Sequence, residues 1–317
     1  MRILVVGAGG TGGYYGGRLF QAGRDVSFLV RPARAAALRE RGLEIVSPHG
    51  DATLHPPLVL ASEIKSPCDV VLLSVKAYAL EQAMDDLAPA VGPTTMIVPV
   101  LNGMRHVDLL TARFGPKAVL GGVSHIAATV DDGGRIVQLT EMQKLAYGER
   151  RSAGNADAAR IDALHAVMSG AGFDARISQE IERDMWEKWV FLATLGGITC
   201  LMRGTIGEIE AAPGGAALAR QLLGECAAVA VASGHAPTAS FLEQTAATLT
   251  AKGSGLASSM YRDLQRGLNV EVDQILGDMV VRAQHLAVPT PLLATAFANL
   301  RVYQQRLAAA RSSSEKR

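Results

Sequence analysis

The chain has 317 residues, 49% hydrophobic and 19% charged, with apolar material enough for two ordinary domains and no case for wholesale disorder. Its formal charge of +1 lacks the basic excess expected of a nucleic-acid binder. Cys68, Cys200 and Cys226 are widely spaced and odd in number, which excludes a disulfide framework or structural zinc and suits a reducing compartment.

Residues 3–6 form an apolar run far shorter than a signal-peptide core. The alanine-rich stretch 216–232 is broken by Arg220, Gln221 and Glu225, so no segment reads as a membrane span. The expectation is a soluble cytoplasmic protein without membrane or nucleic-acid partners. In the first third, β-branched and apolar runs at 3–6, 26–30, 69–75, 96–101 and 118–123 read as strands. Helical patterns at 11–22, 34–41 and 79–87 fall between them, which implies βαβ units and a parallel sheet. Residues 123–129 and 135–148, joined at Asp131-Asp132-Gly133-Gly134, read as an antiparallel addition to that sheet. A helix at 156–169 and a strand at 173–177 follow. Beyond Ser178 the patterns are helical only, at 181–200, 214–233, 238–249, 272–285 and 291–309, with a polar tail at 312–317 expected to fray. The fold class is therefore α/β: a Rossmann-type dinucleotide-binding domain over 1–178 followed by an all-helical C-terminal domain over 179–317.

Gly7-Ala8-Gly9-Gly10-Thr11-Gly12 matches G-x-G-x-x-G, and it follows a strand and opens a helix, the context that gives the motif meaning. The first glycine makes the turn, the second admits a pyrophosphate, and the third lets helix and strand pack closely, with helix amides facing the anion. An NAD-specific chain places Asp or Glu at the end of the second strand. Here Arg31-Pro32-Ala33-Arg34 stands there, and Arg31 and Arg34 suit the 2′-phosphate of NADP. Lys76 follows the third strand, as a ligand-facing lysine or as an ordinary loop lysine.

Lys188 lies among Trp186, Trp189, Val190 and Leu192 on an apolar helix. It either snorkels to solvent or lines a cleft with its pKa lowered, poised to give a proton to a carbonyl oxygen as a nicotinamide delivers hydride. Asn102-Gly103 after a strand reads as a ligand-edge residue or a turn, Ser258-Ser259 as a hydroxyl pair or a helix cap, and Glu271 as a helix-start carboxylate. His125 reads as an ordinary strand histidine. No metal-ligand cluster and no G-x-S-x-G is present.

Taken in order, the glycine motif, Arg31, Ser74-Val75-Lys76, Leu101-Asn102-Gly103-Met104, Trp186-Glu187-Lys188, Gly204-Thr205-Ile206-Gly207-Glu208, Ser258-Ser259-Met260 and Glu271-Val272-Asp273 resemble the ketopantoate reductase (2-dehydropantoate 2-reductase) family over most of the chain. The resemblance implies NADPH-dependent reduction of a 2-oxo acid to a 2-hydroxy acid, with ketopantoate to pantoate in the pantothenate pathway as the leading activity. It implies Lys188 as proton donor with Glu271 assisting, and Asn102 and Ser259 binding substrate. Gly7, Gly9, Gly10, Thr11, Gly12, Arg31, Lys76, Asn102 and Glu271 would line the cofactor, and no metal is implied. Family members usually carry asparagines one and two turns after the lysine, where this chain has Leu192 and Gly196. That departure suggests a more apolar, roomier pocket and a more hydrophobic or bulkier 2-oxo acid as the alternative. Thr199 and Arg203 stand further along as partial substitutes. A non-catalytic NADP-sensing protein is the reading from a different class. The apolar faces of the helical half suffice for a homodimer or for its own core.

Overall fold

The computed structural model describes residues 1–151, 154 and 157–314, the side chains of 312–314 excepted. Ala156 of the helix expected at 156–169 and residues 315–317 of the tail lie outside the described residues. The chain forms two compact units, Met1–Leu101 with His106–Asp184, and Asn102–Arg105 with Met185–Arg317. The division falls after Asp184 rather than Ser178, and it assigns the Asn102 turn to the second unit.

The first unit runs β1 (Arg2–Val6), α1 (Gly10–Gln21), β2 (Asp25–Leu29), α2 (Pro32–Arg41), β3 (Leu43–Val46), β4 (Ala52–Leu54), β5 (Leu58–Val59) and β6 (Val70–Leu73). It continues through α3 (Leu80–Leu87), β7 (Met96–Pro99), α4 (Arg105–Phe114), β8 (Gly121–Val130), β9 (Ile136–Gly148), α5 (Ala158–Met168) and β10 (Asp174–Ile177). Its main sheet is parallel in the order β5-β2-β1-β6-β7. The central strands are buried on both faces, as a parallel sheet between helices requires. Ile3 and Val5 feed one core, with Tyr14, Tyr15 and Leu19 of α1, while Leu4 and Val6 feed the other, with Leu80, Met84 and Leu87 of α3.

The antiparallel extension does not join this sheet. β8 and β9 pair antiparallel, with a bulge between Ile126 and Ala128, and β9 belongs to a second sheet, β10-β9-β3-β4. The strand expected at 118–123 is not formed as such: Val119 makes a single bridge to Ile97, and Gly121 already belongs to β8. Length explains the misreading, because an apolar run shows that a segment is buried without showing its partner. β3 and β4 carry no usable sequence signal because runs of four and three residues are too short to establish a period, even where, as in β3, buried Leu43 and Ile45 alternate with half-buried neighbours. Helix α1 packs against strands of both sheets, and this explains its glycines. A Cβ at Gly13 would overlap Ile136, one at Gly16 would meet Phe28 at 2.6 Å, and one at Gly17 would meet Ile45 at 2.7 Å. Each helical glycine costs about 1 kcal/mol in propensity, which the close packing offsets.

The second unit contains α6 (Ile181–Met202), whose first turn belongs to the first unit, then α7 (Ile206–Ala211), α8 (Gly215–Ala232) and α9 (Ala239–Leu249). It ends with α10 (Ser259–Gln265), a π-helical turn over Asp273–Gly277 that leads into α11 (Asp278–His285), and α12 (Pro291–Ser314). α12 extends through part of the tail expected to fray. α7 has no periodic pattern to announce it, but Thr205 and Glu208 form a capping box that does. Among the described residues α8 is long and apolar enough to cross a membrane by length and composition, with a mean hydropathy of 1.3. It carries buried Glu225, whose carboxylate accepts from the Leu292 (3.2 Å) and Leu293 (2.9 Å) amides and so caps the start of α12.

Candidate active site

The strand order reverses between β1 and β6, and ligands of such sheets collect beyond the carboxyl ends at that point. Gly7 follows β1 with φ +101°, a conformation that favours glycine, and a Cβ there would overlap the Ser74 carbonyl. A Cβ at Gly12 would overlap the Gly7 carbonyl, and one at Gly10 would stand 2.6 Å from the Ala128 carbonyl of β8. At Gly9 it would meet no protein atom within 4 Å. Three of the glycines are thus needed for protein packing, while the open side of the turn is at Gly9. Gly9 caps α1 without a side chain, Thr11 is half-buried, and the first turn carries no acid. Open space beside unshielded helix amides is what a pyrophosphate needs, so the turn fits a dinucleotide.

The two arginines after β2 part company. Arg31 is exposed at the N-cap of α2, and among the described residues its guanidinium makes no hydrogen bond or ion pair. Arg34 is engaged in the protein: it donates to the Gly134 carbonyl at 3.1 Å and to the Ala8 carbonyl at 3.2 Å. Arg41 donates to the neighbouring Gly133 carbonyl. Burial, with Arg41 nearby, lowers the Arg34 pKa. Arg34 therefore ties the β8–β9 turn to the glycine loop. Lys76 is exposed after β6, at the N-cap of a short 3-10 turn.

Asn102, Lys188, Ser259 and Glu271 all belong to the second unit. Trp186 and Trp189 beside Lys188 on α6 are 2% and 1% exposed, and the half-buried lysine is held to an apolar helix. Burial lowers the Lys188 pKa from 10.5 to about 8, and the Glu271 carboxylate draws it back upward. Glu271 lies just before the π-turn. Its carbonyl accepts from the Ile275 amide at 3.1 Å, and the Ile275 carbonyl accepts from the Trp189 indole at 2.9 Å. Asn102 is half-buried, and the following Gly103 has φ +80° and no room for a Cβ, which would stand 2.6 Å from the Gln274 carbonyl of the same π-turn.

The two adjacent serines also have different roles. Ser258 is buried, caps α10 by accepting from the Tyr261 amide at 3.0 Å, and pairs with Thr199 at 2.8 Å. Ser259 is exposed. Thr199, considered above as a substitute for a lost amide, is fully buried and donates to the Leu195 carbonyl at 2.6 Å, so it serves the helix. Gly196 does not leave the expected room: a Cβ there would overlap the terminal methyl of Met260. Met260 fills the gap from α10, so this wall is apolar but not enlarged. No sequence signal links residues 196 and 260. The Trp189–Ile275 bond was equally hidden, because an indole beside a lysine reads only as apolar surface.

A doubly covered parallel sheet with a glycine turn open to pyrophosphate, joined in one chain to a helical unit holding a depressed lysine, defines a dinucleotide-dependent oxidoreductase. Residues 3–152 match the family model for ketopantoate reductase PanE/ApbA, and residues 180–304 match that for ketopantoate reductase PanE/ApbA C terminal. The chain is 38% identical over 304 residues to the uncharacterized oxidoreductase YkpB of Bacillus subtilis (strain 168), covering 96% of this chain and 99% of that one. It is 28% identical to a 2-dehydropantoate 2-reductase of Mesorhizobium japonicum, over 95% and 97% of the two chains. Among solved structures, 2-dehydropantoate 2-reductase from Geobacter metallireducens GS-15 superposes with a TM-score of 0.85 at 28% identity, covering 95% of this chain and 99% of that one. D-mandelate dehydrogenase, determined with NADH and anilino(oxo)acetate, shares the fold with a TM-score of 0.86 at 21% identity, over 97% and 100%. The chain belongs to the ketopantoate reductase family, and it is an oxidoreductase acting on a CH–OH group.

Proposed function

We propose that this chain reduces the keto group of a 2-oxo acid to the 2-hydroxy acid with NADPH, and that 2-dehydropantoate is its first candidate substrate. The observation that carries the reading is Lys188, a lysine on an apolar helix whose pKa burial brings down to about 8 under the field of Glu271. Bound reduced nicotinamide supplies hydride to a carbonyl carbon. The developing oxyanion then requires a proton, and an amine titrating near neutrality gives one readily while remaining mostly protonated at pH 7. Glu271 holds the ammonium in its charged, donating form. The Asn102 amide orients the reacting groups, and the exposed hydroxyl of Ser259 donates to a substrate oxygen. Beside Gly9 the α1 amides hold the pyrophosphate, Arg31 binds the 2′-phosphate through its planar fork, and Lys76 adds charge at the strand end.

One observation favours a second reading of the substrate. Leu192 and the methyl of Met260 replace polar donors on the lysine helix, and such a wall suits an oxo acid with an apolar or aromatic side chain. Anilino(oxo)acetate, bound in the D-mandelate dehydrogenase structure, is of that class. Initial rates of NADPH and NADH oxidation with 2-dehydropantoate and with an aromatic 2-oxo acid test both readings. NADPH-dependent turnover that Lys188→Ala abolishes is expected, with Arg31→Ala raising the NADPH KM about 10- to 100-fold, the worth of a charge-assisted contact. Preference for the aromatic acid selects the second reading. Tight NADPH binding without turnover of any oxo acid overturns both and leaves a sensing role.

A further inference from the structure

Trp189, the residue after Lys188 on α6, hydrogen-bonds to the widened turn that follows Glu271. The Asp273–Gly277 segment is π-helical, with the Asp278 amide bonding back to the Asp273 carbonyl. Such turns free a carbonyl from the regular ladder and recur at functional sites. Here Ile275 offers its carbonyl to the buried Nε1 of Trp189 at 2.9 Å, while its own amide holds the Glu271 carbonyl at 3.1 Å. A short chain of hydrogen bonds therefore runs from the residue next to Lys188 to the backbone of Glu271. The same turn presents the Gln274 carbonyl to Gly103, whose position for a Cβ lies 3.7 Å from Trp189 Nε1, so the Asn102 turn rests on the same support.

We propose that Trp189 is a positioning residue, whose indole N–H locks the π-turn and thereby holds Glu271 in register with Lys188. The inference rests on the proposed roles of Lys188 and Glu271. Three other carboxylates on these elements have partners of their own. Glu187 accepts from the Thr238 amide and hydroxyl, both at 2.8 Å. Asp273 pairs with Arg301 at 2.9 Å, and Asp278 pairs with Arg282 at 3.2 Å. The Arg282 guanidinium lies 5.7 Å and 5.6 Å from the Trp186 and Trp189 ring centres, a contact that phenylalanine preserves in kind. Loss of the N–H thus acts on Lys188 through Glu271.

The test is a double-mutant cycle of Trp189→Phe and Glu271→Gln. Trp189→Phe is expected to lower kcat about tenfold with the oxo-acid KM within twofold, and to change kcat less than twofold once Glu271→Gln is present. A second readout uses the protein without cofactor: the Lys188 pKa followed by NMR of 13C-methylated lysines, with the signal assigned by its loss in Lys188→Ala. From about 8 it should fall in Trp189→Phe, fall at least as far in Glu271→Gln, and fall no further in the double variant. Should Trp189→Phe misfold, replacing both tryptophans by benzothienylalanine removes only the N–H. Trp186 Nε1 is buried without a hydrogen-bond partner among the described residues, so its replacement breaks no bond. Equal losses of kcat in both backgrounds, or an unmoved Lys188 pKa, overturn the proposal while leaving the catalytic reading intact. Wild-type kcat in Glu271→Gln overturns the role given to Glu271 and this inference with it.

Discussion

Replacing Lys188 by methionine should stabilise the fold while abolishing reduction. The side chain keeps its length and apolar stem, and only the ammonium is lost. In the unfolded chain that ammonium titrates at its ordinary 10.5, whereas in the fold burial holds it near 8. Below pH 8 both states are protonated, and the folded state bears the full penalty of about 3 kcal/mol for the two-and-a-half-unit difference. Between pH 8 and 10.5 the unfolded chain binds a proton that the folded one has released, so stability rises with pH by up to about 1.4 kcal/mol per unit. Lys188→Met removes this dependence. Its advantage over the parent should be about 3 kcal/mol at pH 7 and about 2 kcal/mol at pH 9. Urea unfolding followed by tryptophan fluorescence reads the relevant unit, because both tryptophans, Trp186 and Trp189, flank this lysine on α6. A variant no more stable than the parent at pH 7, or an advantage that widens with pH, would refute the reasoning.

The rate of reduction should fall above about pH 8, approaching tenfold per unit as the Lys188 ammonium loses its proton, and Lys188→Ala should cost about 10²- to 10⁴-fold in kcat below pH 8, a gap that narrows at higher pH. Pre-steady-state and steady-state rates against pH check both. Gly9→Ala and Gly12→Ala should separate binding from folding. A methyl at Gly9 meets no protein atom, so thermal stability is kept and NADPH affinity drops, whereas at Gly12 it overlaps the Gly7 carbonyl and lowers the melting temperature as well. Glu225→Ala should reduce stability by about 1–3 kcal/mol by leaving the α12 amides uncapped, with kcat unchanged in the protein that remains folded.

The α/β character of the first half, the helical second half and the glycine turn were all readable because they rest on local rules. Period, β-branching and the geometry demanded of Gly7 are properties of a few consecutive residues. The family resemblance drew Lys188, Glu271, Asn102 and Arg31 together for the same reason, as short motifs in order. Pairing over distance was not readable. Nothing in residues 118–148 says that β8 and β9 turn away to a second sheet, and nothing in Arg34 says that its guanidinium reaches the Ala8 and Gly134 carbonyls. Local patterns sufficed to place most helices and the main-sheet strands, the cofactor turn and a lysine on an apolar helix. The tertiary structure alone decided that Met260 fills the space beside Gly196 and that the Trp189 indole reaches the Ile275 carbonyl. Those outcomes depend on which side chains meet across 64 and 86 residues of chain, and local preference carries no information about such contacts until the core has packed.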